Sequence, residues 1–327
     1  MKIAITGATG QIGVGLTKEL LKQGHDVKAL IYGSAKGLEN LNVHFINGSV
    51  LNPDDCEQLC KDADVVFHLA AIVSINGDPD GNVWNVNVNG TRNMLNACVK
   101  HKVKKLVHFS SIHAYSTQPV EQPLDEHRML ADDNAFAYER SKAAGQKLVL
   151  EYVKTYGLNA SVINPTGVLG YDDYLPSIKG KMLIDFYNGN IPMLTPGGFN
   201  WVDTRDVIKA AIAAMDRGGA GECYLVAGKY YTLTEFAKTI GRVTRKKMPE
   251  LVMPVWVMRL FLPFIYLHGH ITQTAPLYTE ESLKSLLEGN KSIDYTKAAI
   301  QLGHSPRPLE ETIADTYAWF KQQGFIN

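Results

Sequence analysis

A glycine-rich turn between the first predicted strand and the first predicted helix constrains the fold of this chain more than any other feature. Residues 6–13 read Thr-Gly-Ala-Thr-Gly-Gln-Ile-Gly, which gives the glycine spacing G-x-x-G-x-x-G. Glycines lack a Cβ, so the backbone can approach a pyrophosphate whose charge is met by the N–H groups and positive dipole end of the helix. In this context the motif predicts dinucleotide binding rather than an ordinary tight turn. The predicted cofactor-binding residues of the turn are Gly7, Thr9, Gly10, Gln11, Ile12 and Gly13.

Short apolar runs alternate with helical segments through the first half of the chain. The predicted strands are residues 2–5, 26–31, 43–46, 65–69, 105–109 and 160–163. The predicted helices are residues 10–23, 53–61, 82–100 and 138–156, with Gly24 and Gly157 placed to end two of them. Such alternation is typical of βαβ units, which build a doubly wound parallel α/β sheet covered on both faces.

The pattern changes after residue 163, where prolines and glycines predict loops and short elements up to residue 200. A helix over residues 204–217 and a strand over residues 222–226 follow, and Thr232 with Glu235 forms a capping box for another helix. We therefore expect a dinucleotide-binding domain over residues 1–164, with residues 198–226 returning to it. Residues 165–197 and 227–327 are expected to form a smaller, interleaved C-terminal substrate-binding region.

Composition argues against several classes of protein. The 33 Lys and Arg residues balance 33 Asp and Glu residues, so no long-range field attracts nucleic acid, and none is expected as a partner. Four cysteines in 327 residues are too few for a disulfide scaffold, and the first residues lack a signal-peptide pattern, which together predict a reducing, cytoplasmic location. The most apolar segment, residues 251–267, is interrupted by two prolines and an arginine, so we expect no membrane span.

A tyrosine and a lysine, Tyr138 and Lys142, lie four residues apart on one face of a predicted helix, and Ser110 and Ser111 follow the fifth predicted strand. For a tyrosine to act as a base near neutrality, its pKa must fall from about 10 to about 7, and a nearby cation such as Lys142 can contribute. The Y-x-x-x-K spacing alone is common on charged surface helices. Combined with the glycine motif and the serine at the strand end, it favours acid–base catalysis.

The chain resembles the extended short-chain dehydrogenase/reductase family over nearly its whole length, and more narrowly its dihydroflavonol 4-reductase-like and 3β-hydroxysteroid dehydrogenase-like branch. Besides the two motifs above, the strings that carry the resemblance are residues 68–71 (His-Leu-Ala-Ala), 87–91 (Asn-Val-Asn-Gly-Thr), 164–170 (Asn-Pro-Thr-Gly-Val-Leu-Gly) and 201–207 (Trp-Val-Asp-Thr-Arg-Asp-Val). Ser111 also stands four residues before Tyr115. The resemblance implies a Rossmann-type doubly wound sheet and an NAD(P)-dependent enzyme.

The resemblance also implies roles for individual residues. Ser111 would hydrogen-bond the reacting oxygen, Tyr138 would transfer the proton, and Lys142 would hold the nicotinamide ribose and lower the pKa of Tyr138. The residues Leu69, Ala70 and Ala71 would line the cofactor, and Pro165 would lie beside the nicotinamide. Within the string at residues 164–170, Thr166 is a candidate substrate contact.

The choice between the two nicotinamide cofactors depends on the end of the second strand. NAD enzymes usually carry Asp or Glu there to hold the adenosine ribose, whereas this chain has Tyr32, with Lys36 nearby to meet a 2′-phosphate. This favours NADP, with NAD as the alternative. The branch often has Arg in place of Tyr32, and its usual acidic residue near Ser49 is absent, but Ser49 and Val50 remain predicted cofactor contacts.

Several other residues are weaker candidates. His113 is equally consistent with a substrate contact and with a local structural role. His268 and His270 lack partners at ligand spacing, so no metal is predicted. The apolar stretch Val252–Leu267 favours core packing, with a pocket lining or a membrane-surface contact as alternatives. In the pocket-lining case, the large side chains that would cover the pocket are Trp256, Met258, Phe261 and Tyr266.

The leading functional hypothesis is NADP-dependent interconversion of a carbonyl and a secondary alcohol on an apolar small molecule. A nucleotide-sugar epimerase is the alternative, since it would share the fold and the Ser-Tyr-Lys set. A dehydratase is disfavoured because Ile112 and His113 stand where elimination needs an acidic pair. A cofactor-sensing protein without catalysis is a third hypothesis, which the complete catalytic set argues against. A homodimer is compatible with the sequence.

Overall fold

The computed structural model describes residues 1–260 and 279–327, and its centre is a seven-stranded parallel sheet in the order β3-β2-β1-β4-β5-β6-β9. Its strands, numbered along the chain, are β1 (Lys2–Thr6), β2 (Asp26–Ile31), β3 (Val43–Asn47), β4 (Val65–His68), β5 (Lys105–Phe109), β6 (Ala160–Pro165) and β9 (Cys223–Val226). The strand order reverses between β1 and β4, and in such sheets ligands bind outside the carboxyl ends of the strands at this point. The predicted doubly wound α/β fold is confirmed.

A second sheet of three strands lies beside the first, in the order β10-β8-β7. Its strands are β7 (Gly167–Leu169), β8 (Gly198–Asp203) and β10 (Lys229–Thr232). Within the segment predicted to return to the large sheet, β9 pairs there with β6, whereas β8 pairs in the small sheet. The domain boundaries given above stay a prediction.

Helices cover both faces of the large sheet and one region of the small one. They are α1 (Gln11–Lys22), α2 (Pro53–Cys60), α3 (residues 82–100, with a π turn at Asn85–Gly90), α4 (Ala137–Tyr156), α5 (Ile178–Asn188), α6 (Thr204–Arg217), α7 (Leu233–Thr244), α8 (Glu280–Glu288), α9 (Thr296–Leu302) and α10 (Leu309–Gln322). Residues 255–260 are also helical. No helix in the described ranges is long and apolar enough to cross a bilayer.

The core forms because successive side chains of a strand point to opposite faces of the sheet. In β1, Ile3 and Ile5 pack with α1 and α6, whereas Ala4 packs on the other face with α2, α3 and α4. A third cluster joins α5, α7 and α10 to the small sheet, and its centre is Trp201 stacked on Phe236 with ring centroids 4.9 Å apart. The two sheets are thereby held against a shared cleft at the carboxyl ends of the large sheet.

Several local predictions are confirmed by the backbone. Gly24 and Gly157 follow α1 and α4 with φ angles of +78° and +67°, the left-handed conformation that ends a helix. Thr232 and Glu235 form the capping box of α7, with Glu235 N–H donating to the Thr232 hydroxyl at 3.2 Å. These helix ends could be predicted from the sequence because they depend only on residues that are close together in the chain.

The expectation of loops and short elements up to residue 200 is wrong, because this stretch contains the eleven-residue helix α5. The prolines Pro176 and Pro192 lie beyond the ends of this helix, and Gly180 lies inside it, in the first turn. Ser177 caps α5 by accepting a hydrogen bond from Gly180 N–H at 3.1 Å, one residue after Pro176, and Gly189 ends it with a φ of +75°. The residues taken as marks of irregular structure are the boundaries of a regular element.

Candidate active site

A cavity of about 490 Å³ opens at the carboxyl ends of the central strands. Gly7 follows β1, Leu69 follows β4, Ser110 follows β5 and Thr166 follows β6, and each of them lines this cavity. This is the position at which a doubly wound sheet binds its ligands. The cavity therefore defines the candidate active site.

Most of the predicted site residues meet around this cavity. Those that line it are Gly7, Gly10, Gln11, Ile12, Gly13, Leu69, Ala71, Ser111, His113, Tyr138, Lys142, Pro165 and Thr166. Those that lie outside its lining are Thr9, Tyr32, Lys36, Ser49, Val50 and Ala70. The roles assigned to all of them remain predictions, and the geometry below indicates what each can do.

The three glycines of the first turn differ in how much space the surrounding protein leaves for a Cβ atom. A Cβ on Gly7, whose φ is +69°, would lie 2.7 Å from Ala70 N, and a Cβ on Gly13 would lie 2.2 Å from Gly7 O, so the protein itself requires both glycines. A Cβ on Gly10 would meet only Gly7 O, at an ordinary 3.5 Å. Gly10 is the N-cap of α1, and no side chain caps that helix end. The open space beside uncapped N–H groups fits the pyrophosphate of a dinucleotide.

A hydrogen-bond chain fixes the loop that follows β4. The Thr91 hydroxyl donates to Asn87 O at 2.8 Å, so it accepts from His68 Nε2 at 3.0 Å. Nδ1 of His68 is then the acceptor for the Thr6 hydroxyl at 2.7 Å, and Thr6 Oγ1 accepts from Ala70 N–H at 3.2 Å. Burial lowers the pKa of His68 to about 3, so the ring is neutral, as its one donor and one acceptor in this series of hydrogen bonds require. The loop that carries Leu69 and Ala71 is thus anchored to the sheet.

Ser111 and Lys142 are buried and Tyr138 is half-buried, and the three side chains come from two different elements. Ser111 follows β5 and caps the 3₁₀ turn Ile112–Ala114, with its Oγ accepting from His113 N–H at 3.2 Å. Tyr138 and Lys142 lie in the first turns of α4, where Lys142 Nζ donates to Phe109 O at 2.8 Å. The topology therefore brings a hydroxyl, a phenol and an amine to one side of the cavity.

Burial is the main cause of the pKa shifts of Tyr138 and Lys142. It raises the pKa of Tyr138 to about 12, and a hydrogen bond with Ser111 offsets only part of that rise. It also lowers the pKa of Lys142 to about 8. The chain by itself therefore does not produce the expected fall in the pKa of Tyr138, because desolvation of the phenolate outweighs the hydrogen bond with Ser111. At neutral pH Tyr138 is a proton donor.

A buried amide network that the sequence analysis missed holds Ser111 in place. Asn164, fully buried at the end of β6, donates from Nδ2 to Ser111 O at 2.9 Å and to Gln146 Oε1 at 2.7 Å. Gln146 Nε2 in turn donates to the Tyr115 hydroxyl at 3.1 Å. Gln146 stands four residues after Lys142, so helical spacing was the one available sign that both face the same side. The network makes Asn164 and Gln146 candidate positioning residues.

Replacing Asn164 with Leu should therefore affect both stability and turnover. The change leaves a buried carbonyl and a buried amide without partners, which costs ~1–3 kcal/mol. A displaced Ser111 should lower kcat roughly 10- to 100-fold. Thermal unfolding and steady-state kinetics measure the two effects. Asn96→Leu is the control, since Asn96 Oδ1 accepts from the Tyr152 hydroxyl at 2.7 Å outside the cavity lining, and it should destabilise the protein without lowering kcat.

A histidine and a glutamate, His113 and Glu139, lie next to Tyr138, and a second glutamate, Glu281, lies near these two residues. His113 Nδ1 is 3.6 Å from Glu139 Oε1, and its ring edge faces Tyr138 with centroids 5.9 Å apart. Glu281 of α8 also lines the cavity and accepts from Gly77 N–H at 3.3 Å. Burial is the main cause that raises the pKa of Glu281, and the charge of Glu139 adds to it. Glu281 lies in no motif and far along the chain, so sequence reasoning could not find it.

The apolar wall of the cavity is not the one expected from the sequence. Trp256 is 67% exposed and Met258 packs against Leu283, and neither lines the cavity, so the pocket-lining expectation is wrong for both. Phe261, Tyr266, His268 and His270 lie outside the described residues. The wall is formed instead by α5, the segment after it, the small sheet, and one residue each from α7 and α8, with side chains from Met182, Phe186, Ile191, Leu194, Phe199, Trp201, Leu233 and Leu286. Within the described ranges, no group of three His, Cys, Asp or Glu residues is placed to hold a metal ion.

Comparison with known proteins assigns the chain to a family. The model of the NAD dependent epimerase/dehydratase family matches residues 3–227, and the chain belongs to that family. It is a nicotinamide-dependent enzyme, and the resemblance to the extended short-chain dehydrogenase/reductases is confirmed.

Relatives of similar length share the whole chain. Sterol demethylase protein B from Methylococcus capsulatus is 29% identical over 331 residues, covering 100% of both chains. A putative dihydroflavonol 4-reductase from Synechocystis sp. is 27% identical, covering 98% of this chain and 95% of its own. Among solved structures, the crystal structure of gox2253 matches with a TM-score of 0.85 at 26% identity, covering 100% of this chain and 99% of its own.

Proposed function

We propose that this protein interconverts a carbonyl group and a secondary alcohol on an apolar small molecule, with NADP as the preferred cofactor. The observation that carries the proposal is that one cavity joins Ser111, Tyr138 and Lys142 to a wall of large apolar side chains from α5 and the small sheet. Burying a ring-sized apolar group in such a wall contributes ~2 kcal/mol. The site thus favours a substrate with substantial apolar surface.

The side chains around the phenol support a reduction step. A bound nicotinamide supplies the hydride that reduces the carbonyl carbon. Tyr138, which holds its proton at neutral pH, is placed to deliver that proton to the carbonyl oxygen. Ser111, fixed through Asn164, donates a hydrogen bond to the same oxygen as negative charge develops on it. The amine of Lys142, anchored on Phe109 O, is available to the nicotinamide ribose.

The names of the relatives are consistent with this substrate class. One relative that spans the full chain is named for a sterol and another for a dihydroflavonol, both ring systems with large apolar faces. The proposal extends to this chain only what the two names share, which is a bulky, mostly apolar molecule. The cytoplasmic location and the homodimer stay predictions.

A nucleotide-sugar epimerase is the alternative that the family description favours. A nucleotide diphosphate carries at least two negative charges, each of which needs cationic or N–H partners. In the described part of the chain, the cationic side chains that line the cavity are Lys142 and Lys179, without an arginine, and Lys142 is assigned to the nicotinamide ribose. The lining is therefore poorly matched to a second diphosphate in addition to that of the cofactor.

The cofactor preference follows from the loop after β2. Its tyrosine, Tyr32, is 85% exposed, and Lys36 Nζ lies 5.9 Å from the ring centroid of Phe325. The one carboxylate among residues 32–42 belongs to Glu39, which accepts from Gly37 N–H at 2.7 Å. The carboxylate usual in NAD enzymes at the end of β2 is thus absent, and the one carboxylate of this loop is held on Gly37 N–H.

We therefore expect NADPH to bind more tightly than NADH. Lys36→Glu should weaken NADPH binding roughly 10-fold through the lost charge-assisted contact and the new repulsion, and should leave NADH binding nearly unchanged. Titration of cofactor fluorescence at low salt measures both affinities. Lys147→Glu, on the exposed face of α4, makes the same change in net charge and should alter neither. Equal affinities of the parent protein for the two cofactors would contradict the preference.

The substrate class is tested by incubating the purified protein and NADPH with sterol ketones, aryl ketones and aliphatic ketones, and in parallel with oxidised NAD or NADP and UDP-sugars. We expect one or more apolar ketones to be reduced, with one NADPH consumed for each alcohol formed. Epimerisation of a UDP-sugar with no net change in the redox state of the cofactor would overturn the proposal in favour of the epimerase.

A further inference from the structure

Among the described residues, one charged side chain of the cavity, that of Lys179, has neither an ion-pair partner nor a hydrogen-bond partner. Lys179, the second residue of α5, is half-buried and lines the cavity together with the apolar residues of that helix. Burial is the main influence on its amine and lowers the pKa to about 8, while the charge of Asp173 acts in the opposite direction. An ammonium placed among apolar side chains loses hydration, and this loss is normally compensated by an ion pair or hydrogen bonds.

The other charged residues in the lining have such compensation. Lys142 donates to Phe109 O, Glu139 accepts from Phe136 N–H, and Glu281 accepts from Gly77 N–H. The nearest acidic candidate for Lys179 is Asp173, but its carboxylate accepts from both the backbone N–H and the hydroxyl of Ser177.

No other part of the chain offers Lys179 an acidic partner. Within the described ranges it forms no ion pair and no side-chain hydrogen bond. Residues 261–278, which lie outside those ranges, contain neither Asp nor Glu. Asp173 therefore acts on this amine only from beyond ion-pair distance, which leaves room for a bound molecule to supply a close counter-charge.

Buried polar groups without partners lie on the same cavity. Asn290 is 7% exposed, and within residues 1–260 and 279–327 neither its amide nitrogen nor its amide oxygen has a hydrogen-bond partner. The Thr166 hydroxyl and the Trp201 indole N–H, on residues that are 7% and 4% exposed, are likewise unpartnered. Such groups are rare in folded proteins, and at a cavity they are typical of positions that a ligand satisfies.

We propose that Lys179 binds a carboxylate on the substrate, so that the molecule reduced at Tyr138 is an apolar oxo acid and the molecule oxidised there is the matching hydroxy acid. This inference rests on the proposed carbonyl–alcohol interconversion and specifies its substrate class. One unpaired cation matches the single charge of a carboxylate better than the higher charge of a phosphate ester or diphosphate. Glu139 and Glu281 line another part of the same cavity and repel an anion there, so Lys179 also fixes which end of the substrate carries the charge.

Binding of two matched probes tests the site without a known substrate. Decanoate and decanamide have the same shape and differ in charge, and calorimetry in the presence of saturating NADP compares their affinities. We expect the parent protein to bind decanoate roughly 10- to 100-fold more tightly than decanamide, the range given by a hydrogen bond to a charged group. Lys179→Met should remove this preference and Lys179→Arg should keep it.

A matched control separates the site from the general charge of the helix. Lys181, two residues further along α5, is exposed, and Lys181→Met makes the same chemical change outside the cavity lining. It should leave the preference for decanoate intact. Cofactor binding and thermal unfolding of each variant confirm that the fold is retained.

A turnover assay distinguishes failure of this inference from failure of the proposed function. Oxodecanoates with the ketone at successive positions along the chain, and their amides, are incubated with NADPH. We expect reduction of at least one oxo acid with a kcat/KM roughly 10- to 100-fold above that of its amide, and loss of this selectivity in Lys179→Met, mainly through KM.

The possible outcomes are separable. Equal affinity for decanoate and decanamide, absence of binding by both, or a preference that survives Lys179→Met would overturn the carboxylate site. Reduction of ketones without selectivity for the acids would support the proposed carbonyl reduction and contradict the carboxylate site. A preference for decanoate that depends on Lys179, with no ketone or oxo acid reduced, would support the site and contradict the reductase.

Discussion

Replacing Tyr138 with Phe should lower kcat/KM by roughly 10²- to 10⁴-fold, the usual contribution of a positioned proton donor. The half-buried phenol lies beside Ser111, and desolvation keeps it protonated at neutral pH, so the hydroxyl that is lost is the proposed proton source for the developing alkoxide. The ring remains, and the packing of α4 should be unaffected. NADPH affinity should stay within about two-fold of the parent value, because no new atom enters the cofactor site.

The matched control lies on the same helix. Tyr156 ends α4, is 59% exposed, and packs its ring against Tyr152 with centroids 4.9 Å apart. Tyr156→Phe should leave both kinetics and cofactor binding unchanged. If Tyr138→Phe kept full activity, another group would have to supply the proton, and His113 beside the phenol would become the leading candidate. If the parent protein bound the cofactor but turned over no substrate, a cofactor sensor without catalysis would be favoured instead.

Replacing Gly10 with Val should abolish detectable cofactor binding while the protein stays folded. A Cβ at this position clears the neighbouring protein atoms, so the fold tolerates it, but the branched side chain occupies the space beside the uncapped N–H groups of α1. The pyrophosphate needs that space to reach these donors. We expect the dissociation constant for NADPH to rise more than 100-fold, since several charge-assisted hydrogen bonds are lost together. Fluorescence titration and thermal unfolding measure binding and folding separately.

Two further variants grade the effect. Gly10→Ala adds one methyl group and should weaken binding less than Gly10→Val. Gly13→Ala should behave differently, because its Cβ would lie 2.2 Å from Gly7 O and the turn itself must distort, so stability should fall along with binding. Undiminished NADPH affinity in a folded Gly10→Val protein would contradict the assignment of this turn to the pyrophosphate.

The parts of the fold that sequence alone predicted are those specified by neighbouring residues. The strand, glycine turn and helix at the N-terminus require only local steric arguments, and Tyr138 and Lys142 share a helix face by spacing. Contacts between residues that are far apart in the sequence could not be predicted in this way. Asn164 reaches Ser111 across the sheet, and Glu281 reaches the cavity from α8, and no local pattern encodes either contact.

Two segments were predicted incorrectly because tertiary packing, and not local composition, decides their structure. The apolar residues Trp256 and Met258 were natural candidates for a pocket, yet one faces outward and the other packs against α8. The pocket wall comes instead from α5, whose flanking prolines and glycines had favoured irregular structure. Lys179 illustrates the same limit, because a lysine on a helix is normally solvated and only its placement against the cavity gives it a ligand-binding role.

The measurement that tests the central claim most directly is transfer of deuterium from NADPH labelled at the reactive position of the nicotinamide. With an apolar ketone that the protein turns over, we predict one deuterium at the carbinol carbon of each alcohol molecule released, together with one equivalent of NADP. A nucleotide sugar converted to its epimer, with no deuterium in the product and no net change in the redox state of the cofactor, would contradict the account.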